Sequence, residues 1–232
     1  MEREELKKLA AEKAVEQIED GMIVGLGAGS TVEYAFRKLG EKVRDGLKIQ
    51  GIPSSIHTKR IAKEEQIPLT TLEENPEIDI TIDGADEVDS NLNLIKGGGG
   101  ALTREKIVLF NSKRVVIVVD DSKIVKCLGI DFSLPVEIVK FGWTSTKKTI
   151  EQLDCEAVLR EVMEGEPFIT DNGNYILDCE FDRIENPEQM EINLNMIPGV
   201  VENGLFIGLA HEIIVGGKQG VVTLEKGPES VV

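Results

Sequence analysis

The chain has 232 residues, with 26 Lys or Arg and 42 Asp or Glu, and its formal net charge at pH 7 is −16. Its length allows one large core or two modest ones. So large an acidic excess argues against nonspecific nucleic-acid binding, which needs basic patches. The N-terminal segment is charged and helix-patterned, unlike a signal peptide, and no apolar stretch is long enough to span a bilayer. Neither a nucleic acid nor a membrane is therefore expected as a partner.

Cysteine and histidine are both scarce. Cys127, Cys155 and Cys179 are far apart, form no CxxC motif and are odd in number, which predicts neither a disulfide framework nor a zinc site. We interpret them as buried thiols of a cytoplasmic protein. With only His57 and His211 in the chain, the chemistry is expected to depend on carboxylates and lysines.

Up to about residue 130 the hydrophobic pattern alternates between strands and helices. Strands are predicted over 22–26, 48–52, 70–72, 78–83 and 114–120. Helices are predicted over 3–19, from 30 to 39, from the residue after the loop 53–55 to about 66, and over 101–109. In the first helix the inward positions are Leu6, Leu9, Ala10, Ala14 and Ile18. The continuous β-branched run at 114–120 is typical of a buried parallel strand.

A glycine-rich loop, Gly-Leu-Gly-Ala-Gly-Ser-Thr at 25–31, lies between the first strand and the second helix. This order predicts a phosphate cradle, because free N–H groups and the helix dipole favour an anion, and Ser30 and Thr31 add hydroxyl donors. An ordinary capped strand-to-helix turn is the alternative. Ser30 interrupts the GxGxxG dinucleotide motif, and no Gly-Lys-Ser/Thr of a Walker A loop follows, so NAD or ATP binding is the weaker interpretation.

The stretch 78–113 carries the strongest signals for chemistry. Its strand ends at Asp83-Gly84, which places a carboxylate at the C-terminal tip. The four glycines at 97–100 cost backbone entropy and fill no core. They therefore indicate close backbone approach and a set of N–H donors for a negative group.

The helix after these glycines has a carboxylate on its apolar side. Glu105 falls near the middle of a stripe formed by Ala101, Leu102, Val108 and Leu109. A carboxylate on the core side is expensive to bury, and such a group suits a general base. The alternative is a surface Glu105 paired with a neighbouring cation.

Three strands end in polar loops of the kind that bind ligands. The loops are GAGST, DGADE and DDSK, and they follow the strands ending near 26, 83 and 120. In an open α/β sheet, ligands bind at the carboxyl ends of the strands. The convergence of the three loops predicts one site at that edge.

From about residue 131 the pattern changes. Strands over 135–140, 155–162, 168–170, 174–180 and 200–206, with helices over 145–153 and 187–196, approximate βαββαβ. The last strands, near 212–215 and 220–224, are expected to return to the first sheet. We predict an α/β fold: a Rossmann-like, open, mostly parallel sheet from 1–130 and 207–232, and a smaller ferredoxin-like α+β domain over 131–206. Phe141 and Trp143 are interpreted as core or interface.

Six motifs occur in order along the chain: VGLGAGSTV at 24–32, DGADEVD at 83–89, IKGGGGALTREKIV at 95–108, DDSK at 120–123, TDNGN at 170–174 and IPGVVENGLF at 197–206. Together they resemble the type A ribose-5-phosphate isomerases, over essentially the whole chain. DGADE followed by KGGGGA and REK is the specific part. One position departs, because Ala28 stands where the family usually has Thr, and this removes a hydroxyl near the phosphate loop.

The resemblance implies an enzyme of the non-oxidative pentose phosphate pathway that interconverts D-ribose 5-phosphate and D-ribulose 5-phosphate without metal or organic cofactor. Glu105 matches the general base, which moves a proton between C2 and C1 through an enediolate. Asp83 and Asp86 match positions that bind the sugar and assist ring opening and oxygen proton transfer. Lys96 and the N–H groups of Gly97 to Gly99 are suited to stabilise the oxyanion. The other expected substrate contacts are Lys7, Ala28, Gly29, Ser30, Thr31, Gly84, Ala85 and Lys123.

Other interpretations remain open at this point. A sugar-phosphate isomerase-deaminase or a coenzyme A transferase could share a related fold, and a sugar-phosphate sensing domain of a repressor is a non-catalytic alternative. No helix-turn-helix segment precedes residue 20, which disfavours the sensing domain, and Ser30 disfavours a dinucleotide-dependent dehydrogenase. The resemblance also suggests a homodimer or a homotetramer.

Overall fold

The computed structural model of the chain describes residues 3–217 and 220–225. The helices are α1 (Arg3–Val15), α2 (Ser30–Arg44), α3 (Ile56–Glu64), α4 (Leu102–Phe110), α5 (Trp143–Ile150) and α6 (Pro187–Asn195). The strands are β1 (Ile23–Leu26), β2 (Gln50–Pro53), β3 (Ile80–Asp83), β4 (Glu87–Val88), β5 (Leu94–Ile95), β6 (Val115–Asp120), β7 (Leu134–Ile138), β8 (Glu156–Leu159), β9 (Glu161–Met163), β10 (Glu166–Pro167), β11 (Tyr175–Glu180), β12 (Val200–Asn203), β13 (Leu205–Phe206), β14 (Glu212–Gly217) and β15 (Gly220–Glu225).

The chain divides into two compact units. The first contains the residues up to Ala85, Arg104–Ile124 and those from Gly208, and the second contains Asp86–Thr103 and Val125–Ile207. The expected boundaries differ, because they assign 86–103, 125–130 and residue 207 to the first unit. The short strands β4 and β5 explain the difference: β5 pairs with β4 on one side and with β13 on the other, and this sheet belongs to the second unit.

The first unit is built on a six-stranded sheet in the order β15-β14-β6-β3-β1-β2. Every neighbouring pair from β14 to β2 is parallel, and only β15 runs antiparallel, beside β14. The predicted Rossmann-like, mostly parallel sheet is thus confirmed, as is the return of the last strands to it. All six residues of β6 are buried, as its β-branched run predicts for a strand covered on both faces.

Helix α1 shows where the predicted inward face was wrong. The buried residues of this segment include Leu6, Ala10, Ala14 and Ile18, but Leu9 is exposed. At about 100° per residue, the buried positions span about half of the helix circumference, and Leu9 lies outside that arc. Leu9 is apolar without facing the core.

Two further predictions for the first unit differ from the structure. Helix α1 ends at Val15 and not at residue 19. The predicted strand over 70–72 does not form; only Leu69 makes an isolated parallel bridge, with Gly51. Thr70 N still donates to Gly51 O at 3.0 Å, but the chain then turns, with Asn75 N donating to Thr71 O at 2.9 Å, so the pairing with β2 does not continue.

The second unit contains a four-stranded antiparallel sheet in the order β12-β7-β11-β8. With α5 after β7 and α6 after β11, its element order is βαββαβ, and the predicted ferredoxin-like module is confirmed. Trp143 packs against the apolar core of this unit and meets the ring of Tyr175 edge to face. Phe141 is 94% exposed, so it is not a core residue, and its interpretation as an interface residue stays a prediction.

Three predicted strands of the second unit are divided or absent. The strand over 155–162 splits at Arg160 into β8 and β9, because Arg160 N donates to Ile176 O while its carbonyl accepts from Phe168 N. β10 pairs with β9, and 168–170 is not a strand. The strand over 200–206 splits at Gly204 into β12 and β13, which belong to different sheets.

Candidate active site

The glycine-rich loop connects β1 to α2, as predicted. Gly29 is the N-cap of α2 with φ 121°, a left-handed conformation that favours glycine, and α2 begins at Ser30. Gly29 and Ser30 are exposed, whereas Thr31 is buried. The exposed start of this 15-residue helix offers backbone N–H groups to an anion.

Asp83 is fully buried at the C-terminal end of β3 and shapes this loop. Its Oδ1 accepts from Ala28 N at 2.8 Å and from Gly84 N at 2.7 Å. A Cβ at Gly27 would lie 2.2 Å from Asp83 Cγ, so only glycine fits there. Because Ala28 contacts Asp83 through its backbone N–H, the departure from Thr at this position leaves the contact intact.

A buried threonine that the sequence did not single out also holds the loop. Thr58 Oγ1 donates to Gly27 O at 2.9 Å, and Thr58 is 1% exposed. It lies in the first turn of α3, where Ser55 caps the helix by accepting from Thr58 N at 2.9 Å. The signal was present as the capping residue Ser55 after β2, but the contact joins segments 31 residues apart.

The three predicted ligand loops lie at one edge of the sheet. β6, β3 and β1 are adjacent and parallel, so their carboxyl ends face the same way. At the end of β6 the buried Asp120 accepts from Ser122 N at 3.1 Å and caps a short turn that carries the half-buried Lys123. The starts of these loops, as far as Ala85 in the second, are therefore brought together in the first unit, as expected.

Lys7 is connected to the start of α2 through other side chains. Its ammonium group lies 3.2 Å from Glu4 Oε1, and Glu4 Oε2 accepts from the Tyr34 hydroxyl at 2.5 Å. Tyr34 is on α2, so these contacts join the first two helices. Only 14% of the Lys7 side chain is exposed.

Glu105 is on the buried face of α4, as the stripe predicts. It is 4% exposed, and Leu102, Val108 and Leu109 on the same face are 2% exposed or less. Phe110, off the stripe, is 75% exposed. A solvated surface position, the alternative for Glu105, is thus wrong. Since a carboxylate is costly to remove from water, its place on this face calls for a functional explanation.

In the second unit Lys96 follows β5 and is 2% exposed. Its backbone N donates to Gly204 O at 2.9 Å, next to the pairing of β5 with β13. Its ammonium group lies 5.6 Å from the centre of the Phe206 ring, within the range of a cation–π contact. The short β-sheet thus positions a buried cation at the start of the glycine run.

The glycine run differs in one respect from the expected row of three N–H donors. Gly98 N already donates to Asp86 Oδ2, at 2.9 Å. Gly97 and Gly100 have φ values of 105° and 81°, and Gly100 N closes a turn onto Gly97 O at 2.9 Å. The structure therefore brings Asp86 and Gly98 together and leaves the exposed Gly99 beside open space.

No sequence pattern pointed to Arg160, whose guanidinium contacts the carbonyls of Gly97 and Gly98. The contact spans more than 60 residues of chain.

Within residues 3–217 and 220–225, no group of three or more His, Cys, Asp or Glu is arranged to hold a metal ion. In the same residues no helix is long and apolar enough to cross a membrane.

In the first unit, strand-end loops around a helix N-terminus, together with the buried carboxylates of Asp83 and Glu105, are features of α/β enzymes that bind small anionic substrates. The model of the family described as ribose 5-phosphate isomerase A (phosphoriboisomerase A) matches residues 50–220, and the chain belongs to this family.

Relatives and solved structures agree with this assignment. The chain is 53% identical to ribose-5-phosphate isomerase A 1 of Oceanobacillus iheyensis, over 95% of this chain and 98% of the relative. It is 51% identical to ribose-5-phosphate isomerase A of Bacillus mycoides, over 93% and 97%. The structure of the Methanocaldococcus jannaschii enzyme matches with a TM-score of 0.92 and 43% identity, over 97% of this chain and 100% of that one. A D-ribose-5-phosphate isomerase in complex with phospho-erythronic acid matches with a TM-score of 0.94 and 44% identity, over the same shares.

Proposed function

We propose that Glu105 is the general base with which this chain interconverts D-ribose 5-phosphate and D-ribulose 5-phosphate. The reaction follows from membership of the family and from relatives that carry this activity in their names over nearly their full length. The observation that carries the role of Glu105 is its 4% exposure within the apolar face of α4. A base shielded from water keeps the proton it removes from exchanging before it is returned.

The chemistry explains the residue types. The base removes a proton from C2, next to the C1 carbonyl, and the same carboxyl group returns it to C1 of the enediolate. The proton of the C2 hydroxyl passes to the oxygen on C1, and Asp83 and Asp86 are assigned to assist this transfer and ring opening. The oxygen that becomes negative needs a cation or preset N–H donors. We assign this task to Lys96 and to the N–H of Gly99, since the N–H of Gly98 is already bound to Asp86. Asp86 remains a substrate contact through its other carboxylate oxygen.

The loops of the first unit have a separate role, because the substrate carries a phosphate. The N-terminus of α2, with the exposed Gly29 and Ser30 followed by the buried Thr31, is suited to receive it. Asp83 supports the loop through Ala28 N and is assigned a contact with the sugar. Gly84, Ala85, Lys7 and Lys123 complete the proposed substrate contacts. Local donors, and not the net charge of −16, would provide the attraction.

We also propose that the enzyme is a cytoplasmic homodimer or homotetramer. The three cysteines are all free thiols in the structure, in keeping with a reducing compartment. The small second unit would be a natural interface. Light scattering on the eluting protein measures the assembly, and a monomeric mass at micromolar concentration would overturn this part.

The test of the main proposal is an isomerisation assay on ribose 5-phosphate in the presence of EDTA. Wild type and Glu105→Gln are compared with Glu212→Gln, a control in the same unit whose exposure is also 4%. Ketose should form with wild type and with the control, and kcat of Glu105→Gln should fall by at least about 10³-fold with little change in substrate binding. A near-normal kcat in Glu105→Gln would remove it from the base role, and an inactive wild type would overturn the reaction.

A further inference from the structure

The carbonyl side of the glycine run is held by a residue outside every motif discussed above. Arg160 Nη1 donates to Gly97 O at 2.9 Å and to Gly98 O at 3.1 Å. The backbone of Arg160 is itself held on both sides, by Ile176 O at 2.9 Å and by Phe168 N at 2.8 Å. All of these residues belong to the second unit.

The guanidinium group has little freedom to move. Its Nε donates to Asp178 Oδ2 at 2.9 Å, and its Nη2 pairs with the other oxygen of the same carboxylate. The ring of Phe168 lies 5.9 Å from the guanidinium carbon, and only 14% of the Arg160 side chain is exposed. A two-pronged pair of this kind fixes orientation as well as distance, which a lysine cannot do.

This clamp determines which way the glycine peptides face. In a trans peptide the C=O and the N–H point in opposite directions. Arg160 holds Gly97 O at one end of the first peptide, and Asp86 accepts the Gly98 N–H at the other end. Because Arg160 also holds Gly98 O, the N–H of Gly99 is turned away from Arg160. Around Gly99 an added Cβ would meet no described atom within 4 Å, so a ligand has room there.

We propose that Arg160 is a positioning residue for the isomerisation, which presets the Gly98–Gly99 peptide as an oxyanion donor and holds Asp86 in place through Gly98. This rests on the proposed function. Glycines have no side chains with which to hold their own peptides, so a donor row made of them gains its fixed direction from outside. A preset donor is worth more to an oxyanion than one that must first reorient.

The test compares Arg160→Lys with Arg183→Lys, a control in the same unit whose arginine is exposed and paired with Glu185. For both variants kcat and KM are measured on ribose 5-phosphate, together with inhibition by phospho-erythronic acid, whose carboxylate carries charge as an oxyanion does. Arg160→Lys should lower kcat by about 10²-fold, the cost of a donor misplaced by about 1 Å, with KM changed less than about threefold. Inhibition should weaken by a similar factor, as expected for an analogue of the reaction intermediate. Arg183→Lys should match wild type.

Rescue separates positioning from a general structural role. Methylguanidinium added to Arg160→Ala should restore part of kcat and should not affect the same alanine change at Arg183. If the position 160 variants do not fold, Asp178→Asn applies the same test. It removes the charged carboxylate that orients the Arg160 guanidinium but leaves Arg160 itself unchanged, and we expect kcat to fall about tenfold. Wild-type kcat in Arg160→Lys, or in a folded Asp178→Asn, would overturn the positioning role while leaving the reaction standing. An inactive wild type would overturn the proposed function itself.

Discussion

At the scale of single residues, the proposed roles divide between substrate binding and oxyanion stabilisation. Ser30 is exposed at the first position of α2, where its hydroxyl and backbone N–H suit a phosphate. Lys96 is nearly fully buried, where holding a charge costs free energy, and the proposed task of its ammonium group is to stabilise the oxyanion. Truncation of Ser30 should therefore mainly change KM, whereas truncation of Lys96 should lower kcat/KM.

Ser30→Ala should mainly weaken substrate binding. Loss of one hydrogen bond to a charged phosphate corresponds to about 1.5–3 kcal/mol, which raises KM by about 10–150-fold with kcat nearly unchanged. Steady-state kinetics on ribose 5-phosphate measure this, with Ser145→Ala, an exposed serine of α5, as the control. An unchanged KM would make the loop a purely structural turn.

Lys96→Ala should lower kcat/KM by about 10²–10³-fold if the ammonium group stabilises the oxyanion. Lys140→Ala is a matched control, because its ammonium group also lies over an aromatic ring, 5.3 Å from the centre of Tyr175, but on an exposed residue. The control should keep wild-type kinetics. Equal losses from the two changes would show that Lys96 acts through packing with its ring and not on the substrate.

At the scale of elements, one helix supports the loop of another. α3 follows β2 and is capped by Ser55, and Thr58 Oγ1 in its first turn donates to Gly27 O. The helix after β2 therefore helps to hold the loop after β1. The neighbouring strand contributes Asp83, which holds Ala28 N. The glycine-rich loop after β1 is thus fixed at a carbonyl group and at an N–H group by two different elements.

Thr58→Val should separate this support from ordinary stability. It keeps the side-chain shape but leaves Gly27 O without its donor, at about 1–3 kcal/mol of unfolding free energy, and the loosened loop should raise KM about threefold or more. Thr146→Val is the control, since Thr146 is also buried and also donates to a carbonyl, Pro198 O, at 3.4 Å. Thermal unfolding measures the loss of stability in each variant, and steady-state kinetics measure KM. A KM that rises equally in both variants would contradict a specific role of Thr58.

At the scale of the whole molecule, a buried carboxylate couples the stability of the second unit to pH. Glu87 on β4 is 1% exposed and accepts from Gly129 N at 2.7 Å and from Asp131 N at 2.9 Å. Burial raises the pKa of Glu87 above its usual value, and the two N–H donors oppose this only in part. The folded protein therefore binds this proton more tightly than the unfolded chain does.

The sign of the effect follows from linkage. A raised pKa in the folded state contributes stability that is present below the unfolded value, about 4.3, and is lost as pH rises through the folded pKa. Glu87→Gln does not titrate, so wild type should lose unfolding free energy relative to this variant as pH rises from about 4 through the folded pKa. Urea unfolding of both proteins over that range measures the difference. A difference that is flat with pH, or that favours wild type at higher pH, would contradict the prediction.

Much of the fold could be predicted because the signals are local. The β-branched run of β6 and the stripe of α4 are patterns of neighbouring residues within one element, and both are confirmed. The position of Glu105 on a buried face follows from the same periodicity. At Arg160 and Gly204 the chain changes its partner strand, although the hydrophobic pattern of the sequence continues through both residues. The strands predicted there were therefore too long.

By itself the sequence determined the two-part α/β architecture, the three ligand loops at the strand ends and, through ordered motifs, the family. Only the tertiary structure decided that Gly98 N–H is bound to Asp86, that Thr58 donates to the glycine-rich loop at Gly27 O and that Arg160 donates to the carbonyls of Gly97 and Gly98. The physical reason is range. Periodicity and turn chemistry are written in neighbouring residues, whereas a hydrogen bond between segments tens of residues apart depends on how the chain has already packed.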